Sequence, residues 1–382
     1  MAGPSSSRSS GRTGASRRTR SALLAAFITV ALLSMLPTGR AEAFTGPPVA
    51  GDLHDPMTLA AQDGVTYVTY ASTPAQPIAR CSASAATLWV PYIWHGNGET
   101  LALDGQCVDG DAMPNGPGDW ANPSKIAGQV WAPSVVFWNN HYIMYYTARV
   151  AGSSNERCLG IAFSPNARGP FTASDTSINC SSNGRWSIDP EAFVDNGHLY
   201  LTWRDDNPGE DNDHAAISAM EMSSTGYPML STRQTLLKAS SVSYSGPTPG
   251  ENKYIIENPT LIRVTTNNTI YLFFSAYAWT SGNYVTGIAN CGTSLLSGSC
   301  ALTNSTAYFA SGPASVPSVK SFPAGANDDP GAAAMSIFRT HAGAARVVWA
   351  YQTNYPFGDP RTRSIKAGVL SYSTGGVGFD IS

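Results

Sequence analysis

The sequence predicts an all-β protein, a five-bladed β-propeller, from three observations. Only 23 of the 382 residues are Lys or Arg and only 26 are Asp or Glu, whereas 36 Gly and 26 Pro supply frequent turns. A strand–turn–strand pattern occurs five times, and Pro stands at the same place in four of the copies. This composition excludes a coiled coil or a long helical bundle, and the ample apolar and aromatic content excludes a disordered chain.

The repeated unit is a pair of apolar strands joined by a tight turn. The copies begin at His54-Asp55-Pro56, Trp131-Ala132-Pro133, Ile188-Asp189-Pro190 and Glu257-Asn258-Pro259, and a weaker copy spans residues 332–352. Turn sequences such as Asp63-Gly64 and Asn139-Asn140 are typical of β-hairpins. The copies recur at intervals of about 57 to 77 residues, which suits a propeller blade of three or four strands. A β-sandwich would not explain this fivefold recurrence.

The first 43 residues are predicted to be a secretory signal peptide. Five Arg residues between positions 8 and 20 precede an apolar run from Ala22 to Leu36, and Ala41-Glu42-Ala43 offers small residues for cleavage. The apolar run is shorter than the roughly 20 residues that span a bilayer. We therefore expect a secreted, extracellular protein with one propeller domain over residues 44–382.

Removal of this segment changes the charge of the protein. It takes away six Arg and one Glu, so the formal charge becomes -8 instead of -3. An acidic chain of this kind disfavours polyanions and gives no reason to expect a nucleic-acid partner. We expect a neutral or cationic ligand, no membrane contact after cleavage, and a monomer.

The six cysteines are predicted to form structural disulfides. They fall into three local pairs, and an exported protein reaches an oxidising compartment. No Cys-x-x-Cys spacing supports the competing zinc site. The expected pairs are Cys81–Cys107, Cys158–Cys180 and Cys291–Cys300.

Three carboxylates are expected to meet at one mouth of the central channel. The first strand of each blade lines that channel, and Asp55, Asp189 and Glu257 each lie at the start of a first strand. Paired carboxylates, one with a pKa raised by burial and neighbouring charge, are what hydrolysis of a glycosidic bond requires. Asp-Pro can also simply begin a strand, but this does not explain Glu257 in the fourth copy.

Further residues are expected to contact substrate at the same mouth. The second strand of each hairpin returns the chain to it, which brings Tyr and Trp side chains close to the carboxylates. His54 either orients Asp55, contacts substrate or packs structurally, and Arg363 either contacts substrate or forms a surface salt bridge. Asp205 begins an acidic loop that lacks the ligand spacing of a calcium loop. The six expected substrate contacts are His54, Trp131, Trp203, Asp205, Tyr277 and Arg363.

The series of triplets with its ordered Asp, Asp and Glu resembles glycoside hydrolase family 43. That family contains arabinanases, α-L-arabinofuranosidases and β-xylosidases on five-bladed propellers, and the resemblance covers the whole mature chain. It implies an inverting hydrolase in which Asp55 is the general base and Glu257 is the general acid. Asp189 matches the third carboxylate, which orients the acid and tunes its pKa.

The sequence departs from the family pattern at three places. Ser134 follows Pro133 where the family usually has an acidic residue, and Asn258 follows Glu257 where a small residue is commoner. A His of the fifth copy often helps the family to hold a central calcium ion, and here that position is Ala333 or Ala334. We therefore expect no required cofactor and no metal ligand among the site residues, and a calcium bound through that His is in doubt.

Two other functions remain open from the sequence. One is a non-catalytic sugar-binding propeller that descends from such an enzyme, which Ser134 and the missing His leave open. The other is a retaining fructan- or sucrose-cleaving hydrolase in which Asp55 is a nucleophile. Those enzymes usually have Asn before the first Asp-Pro and Arg before the second, where this chain has His54 and Ile188. The main hypothesis is an inverting hydrolase of arabinofuranosyl or xylosyl linkages in plant cell-wall polysaccharide.

Overall fold

The chain forms five β-sheets, one for each copy of the sequence repeat. The computed structural model describes residues 54–64, 67–72, 92–96, 101–103, 112–113, 115–121, 130–181, 185–206, 214–247, 254–311, 314–322, 330–352, 363–374 and 378–382. The expected cleavage after residue 43 lies outside these residues and stays a prediction. Among the described residues, no helix is long and apolar enough to cross a membrane.

The strands follow the chain from sheet to sheet. Sheet 1 contains β1 (His54–Ala60), β2 (Tyr67–Ser72), β3 (Tyr92–Gly96) and β4 (Leu101–Leu103). Sheet 2 contains β5 (Val130–Trp138), β6 (His141–Arg149), β7 (Arg157–Ser164), β8 (Thr172–Ala173) and β9 (Asn179–Cys180). Sheet 3 contains β10 (Ser187–Asp195), β11 (His198–Asp205), β12 (Ala216–Met222) and β13 (Gln234–Lys238).

The last two sheets complete the described part of the chain. Sheet 4 contains β14 (Ile256–Val264), β15 (Thr269–Ala276), β16 (Val285–Asn290), β17 (Ala301–Leu302), β18 (Ala307–Ala310) and β19 (Ser318–Ser321). Sheet 5 contains β20 (Ala333–Arg339), β21 (Ala345–Gln352), β22 (Arg363–Ser373) and β23 (Gly378–Ile381). Two short 3-10 turns, Leu230–Thr232 and Ala239–Ser241, flank β13.

The sheets close into a ring around their first strands. β1 contacts β5, β5 contacts β10, β10 contacts β14, β14 contacts β20, and β20 contacts β1. A cluster of buried apolar side chains lies between each pair of neighbouring sheets. The cluster that joins sheet 5 to sheet 1 includes Tyr67, Phe338 and Val348. Apolar burial on both faces of the sheets explains why the repeat strands are almost entirely apolar.

The all-β propeller arrangement is confirmed, but the count of blades differs from the five expected, because four blades are found among the five sheets. The five sheets differ in their outer strands. The outer part of sheet 2 consists of β8 and β9, which have two residues each and both pair with β7. In sheet 4, β18 and β19 pair in parallel. Sheets 2 and 4, with five and six strands, therefore exceed the three or four strands expected for each blade.

The first strands share a bulge at the same place. The pairing of each first strand with its second strand shifts register there. One residue in each bulge has a positive φ between 46° and 55°. These residues are Asp55, Ala132, Asp189, Asn258 and Ala334. The bulge identifies Ala334 as the fifth-copy equivalent of the residue before Pro.

Two of the three expected disulfides are confirmed. Cys158–Cys180 joins β7 to β9, and Cys291–Cys300 closes the segment between β16 and β17. The expected pair Cys81–Cys107 lies outside the described residues and stays a prediction.

We predict that Ala132 tolerates Gly but not a β-branched residue. Its φ of 46° lies in the left-handed region, where a β-branched side chain is strained. Ala132→Val should lower the free energy of unfolding by about 1–3 kcal/mol, and Ala132→Gly should change it by less than about 1 kcal/mol. Urea unfolding of both variants measures the difference. Equal losses for Val and Gly would contradict the left-handed assignment.

Candidate active site

A cavity at the centre of the ring is lined by the bulges of all five first strands. Asp55, Ala132, Asp189, Asn258 and Ala334 contribute to its wall together with the residues that follow them. Three of these five are Asp or Asn, the residue types that adopt a positive φ at the lowest cost after Gly. The backbone conformation of the bulge and the polar lining of the cavity therefore depend on the same residues.

The Asp55 carboxylate is held by two donors. Ser72 Oγ, at the end of β2, donates to Oδ2 at 2.9 Å. Asn258 Nδ2, from the bulge of β14, donates to Oδ1 at 3.1 Å. One donor belongs to the sheet of Asp55 and the other to sheet 4, so the carboxylate is fixed across the channel.

The Asp189 carboxylate lies deeper in the channel. It is 6% exposed and accepts a hydrogen bond of 3.2 Å from the backbone N–H of Asn258. Burial raises its pKa, and the charges of Glu257 and Asp55 raise it further, whereas Arg204 opposes the change. The three expected carboxylates therefore lie close enough to influence one another.

The Glu257 carboxylate is held by an arginine and a tyrosine. Arg204 Nη1 donates to Oε2 at 2.6 Å, and the Tyr284 hydroxyl lies 2.9 Å from Oε1. Burial raises the pKa of Glu257, and the Asp55 charge adds to this, while Arg204 lowers it. A carboxyl with a raised pKa can carry a proton and donate it to a bound molecule.

Arg204 balances part of the negative charge of the site. Its guanidinium is buried and bonds Asp206 through Nε at 2.7 Å as well as Glu257. Burial lowers the pKa of Arg204, but the carboxylates of Asp206 and Glu257 raise it more, so the group stays cationic. One guanidinium faces more than one carboxylate, which favours a proton on at least one member of the cluster.

Aromatic and cationic side chains lie beside the carboxylates on the side of sheets 4 and 5. The His54 ring contacts Trp279 edge-on, with centroids 5.7 Å apart. The Arg363 guanidinium lies over Tyr284 at 5.0 Å and over Trp279 at 5.7 Å. Arg363 is 2% exposed and donates to the Trp279 carbonyl, so the alternative of a surface salt bridge is wrong.

A second aromatic group lies on the side of sheets 2 and 3. Trp131 precedes the left-handed residue of its bulge, as Glu257 does in β14. The guanidinium of Arg157 stacks on the Trp131 ring at 3.1 Å, and Trp186 packs edge-on at 5.9 Å. Burial, with the charge of Arg149, lowers the pKa of Arg157 to about 9. Trp131 remains partly exposed, so one part of its ring is free to meet a ligand.

Two expected substrate contacts are wrong. Trp203 is fully buried in the apolar cluster between sheets 2 and 3. Asp205 is 1% exposed, and its carboxylate accepts hydrogen bonds from Ser181, Ser218 and Arg233. Side chains alternate along a strand, so Arg204 faces the cavity while its two neighbours face away from it.

Tyr277 lies just after β15, the second strand of sheet 4. It follows β15 with a φ of 76° and is partly buried, and its backbone N–H donates to the Ile255 carbonyl at 3.2 Å. Trp279, two residues later, is the aromatic side chain that contacts His54. The substrate contact expected of Tyr277 stays a prediction.

Glu191 is a further buried acid that the sequence analysis did not select. It follows Pro190 and lines the same cavity. Ser134 Oγ donates to its Oε2 at 2.9 Å, and Thr260 Oγ1 donates to its Oε1 at 3.1 Å. Burial raises the pKa of Glu191 to about 7, although the hydroxyl donors oppose the shift. The acid expected at position 134 is thus replaced by a hydroxyl that supports an acid on the next sheet.

The sequence analysis also missed Arg204, Asn258 and Tyr284 as parts of the site. Arg204 lies at the end of β11, and the ends of the second strands were expected at the mouth of the central channel. Asn258 stood out in the sequence only as a departure from the family pattern. Tyr284 gave no sequence signal, because it precedes β16 and reaches Glu257 only through the packing of sheet 4.

Comparison with known proteins agrees with this geometry. The family model described as "Glycosyl hydrolases family 43" matches residues 108–310. No curated protein sequence matches the chain.

Solved structures share the fold at low sequence identity. A thermostable family-43 glycoside hydrolase aligns with a TM-score of 0.63 and 20% identity, over 87% of this chain and 93% of the other. An endo-1,4-beta-xylanase from Bacteroides thetaiotaomicron aligns with a TM-score of 0.61 and 18% identity, over 88% and 97%. An alpha-L-arabinofuranosidase from Lactobacillus brevis aligns with a TM-score of 0.61 and 16% identity, over 86% and 93%.

We predict that Glu191 makes the protein less stable as the pH rises. The pKa of Glu191 is about 7 in the folded state, above the roughly 4.3 of an unfolded Glu. The stabilisation that results is complete below about pH 4.3 and decreases as the pH rises to about 7. Glu191→Gln should reduce the loss of unfolding free energy between pH 5 and pH 8 by roughly 2–3 kcal/mol. Urea unfolding at both pH values measures this.

The control for this prediction is Glu156→Gln, which changes a partly exposed carboxylate in the loop before β7. It should leave the pH dependence of the wild type unchanged. The same pH dependence in Glu191→Gln and in the wild type would contradict the prediction.

Proposed function

The chain belongs to family 43 of the glycosyl hydrolases, and we propose that it is a secreted, inverting member that cleaves arabinofuranosyl or xylosyl linkages of plant cell-wall polysaccharide. The observation that carries this proposal is that Asp55 and Asp189 line one cavity and Glu257 lies beside them, linked to Asp55 through Tyr284 and Asn258. Asp55 and Glu257 are held by different partners. The two carboxylates are thereby suited to opposite protonation states.

The proposed reaction needs one proton acceptor and one proton donor. Asp55 accepts a proton from a water molecule, whose oxygen attacks the anomeric carbon. The bond from that carbon to the leaving oxygen breaks as Glu257 gives its proton to this oxygen. Asp55 ends protonated and Glu257 ends ionised, and exchange with solvent restores both. A single displacement of this kind inverts the anomeric centre.

The neighbouring groups support these two roles. Burial favours the protonated form of Glu257 before the reaction, and the Arg204 guanidinium stabilises the carboxylate that remains after proton transfer. Ser72 and Asn258 donate to Asp55 in its ionised form. The Asp55 charge adds to burial in opposing the loss of the proton from Glu257, and the charges of Glu257 and Asp55 in turn raise the pKa of the buried Asp189.

The proposed substrate class rests on the lining of the site and on the similar structures. Trp131 and the His54–Trp279 pair offer apolar ring faces to a sugar. The structures of similar fold include a xylanase, an arabinofuranosidase and an endo-arabinase. A net charge of -8 after removal of residues 1–43 suits a neutral polysaccharide. The disulfides Cys158–Cys180 and Cys291–Cys300 support export to an oxidising compartment.

We predict that Asp55→Asn and Glu257→Gln each lower kcat by about 10²–10⁴-fold. The loss in Glu257→Gln should shrink on aryl glycosides with a good leaving group, because their leaving oxygen needs little protonation. The loss in Asp55→Asn should not depend on the leaving group. Glu221→Gln is the matched control and should retain full activity.

The assay offers aryl α-L-arabinofuranoside, aryl β-xyloside, linear arabinan and sucrose, and NMR identifies the first-formed anomer. Turnover of the arabinose or xylose substrates with inversion supports the proposal. A retained anomer would contradict the role of Asp55 as a base, and turnover of sucrose alone would favour the fructan-type alternative. Full activity of Glu257→Gln would contradict the role of Glu257 as the acid.

A central calcium ion does not fit the fifth copy of the repeat. The bulge residue there is Ala334, whose methyl group cannot bind a metal. The two Glu191 oxygens in the same cavity already accept hydrogen bonds from Ser134 and Thr260. We therefore also propose that the reaction needs no metal ion.

We predict that dialysis against EDTA leaves kcat and the thermal unfolding midpoint unchanged. The measurement compares protein before and after dialysis, and again after addition of calcium. Loss of activity that calcium restores would contradict this part of the proposal.

A further inference from the structure

Asn258 bonds directly to two carboxylates of the site and is linked to the third through Tyr284. Its side-chain Nδ2 donates to Asp55 at 3.1 Å, and its backbone N–H donates to Asp189 at 3.2 Å. Its side-chain Oδ1 lies 2.6 Å from the Tyr284 hydroxyl, which is also 2.9 Å from Glu257 Oε1. A continuous chain of hydrogen bonds therefore runs from Glu257 through Tyr284 and Asn258 to Asp55.

The Tyr284 hydroxyl has two acceptors but only one hydrogen. A tyrosine hydroxyl donates once, so full donation to Glu257 withdraws the hydrogen from Asn258. An ionised carboxylate is a stronger acceptor than an amide oxygen, and a protonated carboxyl is a weaker one than a carboxylate. The hydrogen should therefore point to Glu257 when that residue is ionised and to Asn258 when it is protonated. Burial raises the pKa of Tyr284, which keeps the hydroxyl a donor.

The direction of this hydrogen affects Asp55 through the amide of Asn258. An amide that accepts a hydrogen bond at its oxygen donates more strongly from its nitrogen, because hydrogen bonds in a chain polarise one another. Protonation of Glu257 therefore strengthens the donation from Asn258 Nδ2 to the Asp55 carboxylate. The chain favours a protonated Glu257 together with an ionised Asp55.

We propose that Asn258 and Tyr284 are positioning residues that couple the protonation of Glu257 to the support of the Asp55 carboxylate. The inference rests on the proposed function, which supplies the roles of base and acid for the two carboxylates. It assigns a role to Asn258, where the sequence departs from the family pattern, and to Tyr284, which the sequence did not indicate.

Other charged and titratable groups face the same carboxylates. Glu257 faces Arg204 of β11 and the charges of Asp55 and Asp189, and Arg363 of β22 lies over Tyr284. Asp55 follows His54 in β1. Arg204 and Asp55 each act on both Glu257 and Asp189 through their charges, whereas Asn258 and Tyr284 connect Glu257 to Asp55 by hydrogen bonds that can respond to their protonation.

The test compares two variants that should shift the pH profile of kcat/KM differently. Asn258→Ala removes the donor to Asp55, so the acidic limb should move up by about 0.5–1 pH unit. It also leaves the Tyr284 hydrogen entirely to Glu257, so the basic limb should move down and the profile should narrow. Tyr284→Phe removes a donor to ionised Glu257, so the basic limb should move up. The expected fall in kcat is about 10-fold for each variant, with KM within about 3-fold.

The variants are designed to keep the fold. Ala132 and Ala334 occupy the equivalent left-handed positions, so alanine is compatible with the backbone at position 258. Asn268→Ala is the matched control, since Asn268 also has a positive φ but lies in the β14–β15 turn. Tyr271→Phe is the second control, because the Tyr271 hydroxyl pairs with Tyr372 on the far side of sheet 4. In both controls, the acidic and basic limbs of the pH profile of kcat/KM should stay at their wild-type positions.

A titration by carboxyl ¹³C NMR separates this inference from the proposed function. The Glu257 resonance is identified by its absence in Glu257→Gln. Its midpoint should move down in Asn258→Ala and up in Tyr284→Phe, whether or not a glycoside is turned over. Opposite shifts in a protein that cleaves no glycoside would support the coupling and overturn the proposed function. Unmoved midpoints, or shifts in one direction in both variants, would overturn the coupling even if the wild type is active.

Discussion

The left-handed bulge in the first strand of each sheet is the constraint on which the site depends. It occurs at the same place in all five first strands, and it interrupts their pairing with the second strands. The bulges turn backbone and side chains into the centre of the ring, where Asp55, Asp189 and Asn258 line one cavity. Because the conformation favours Asp and Asn, the same residues that allow the bulge also supply the polar groups of the site.

The cavity concentrates negative charge in a buried place, and the surrounding structure offsets it in three ways. Arg204 supplies a buried positive charge to Glu257, hydroxyl and amide donors bind Asp55, and a backbone N–H binds Asp189. Burial, with the negative charge that remains, raises the pKa of Asp189 and of Glu257. A raised pKa means that a carboxyl group keeps its proton to a higher pH. Such a retained proton is what proton transfer to a leaving group requires.

Much of the fold followed from the sequence, because its signals are local. The hairpins, the position of each first strand and two disulfides depend on residues that are near one another in the chain. The convergence of Asp55, Asp189 and Glu257 followed from the repeat, since the starts of the first strands in a closed ring must meet around its centre. Trp203 and Asp205 were placed at the site because they end a second strand, but the strand turns alternate side chains away from the cavity. The outer strands were also less regular than the repeat suggested, which affected the count of blades.

The sequence by itself determined that this protein is an all-β repeat with a carboxylate at the start of three of its first strands, because hairpin turns and repeat spacing are properties of the chain. The tertiary structure decided which groups control those carboxylates. Tyr284 reaches Glu257 across sheet 4, Asn258 reaches Asp55 across 203 positions of sequence, and Ser134 supports Glu191 from the neighbouring sheet. Such contacts depend on the closure of the ring and on the side to which each side chain points, and no local pattern in the sequence encodes either.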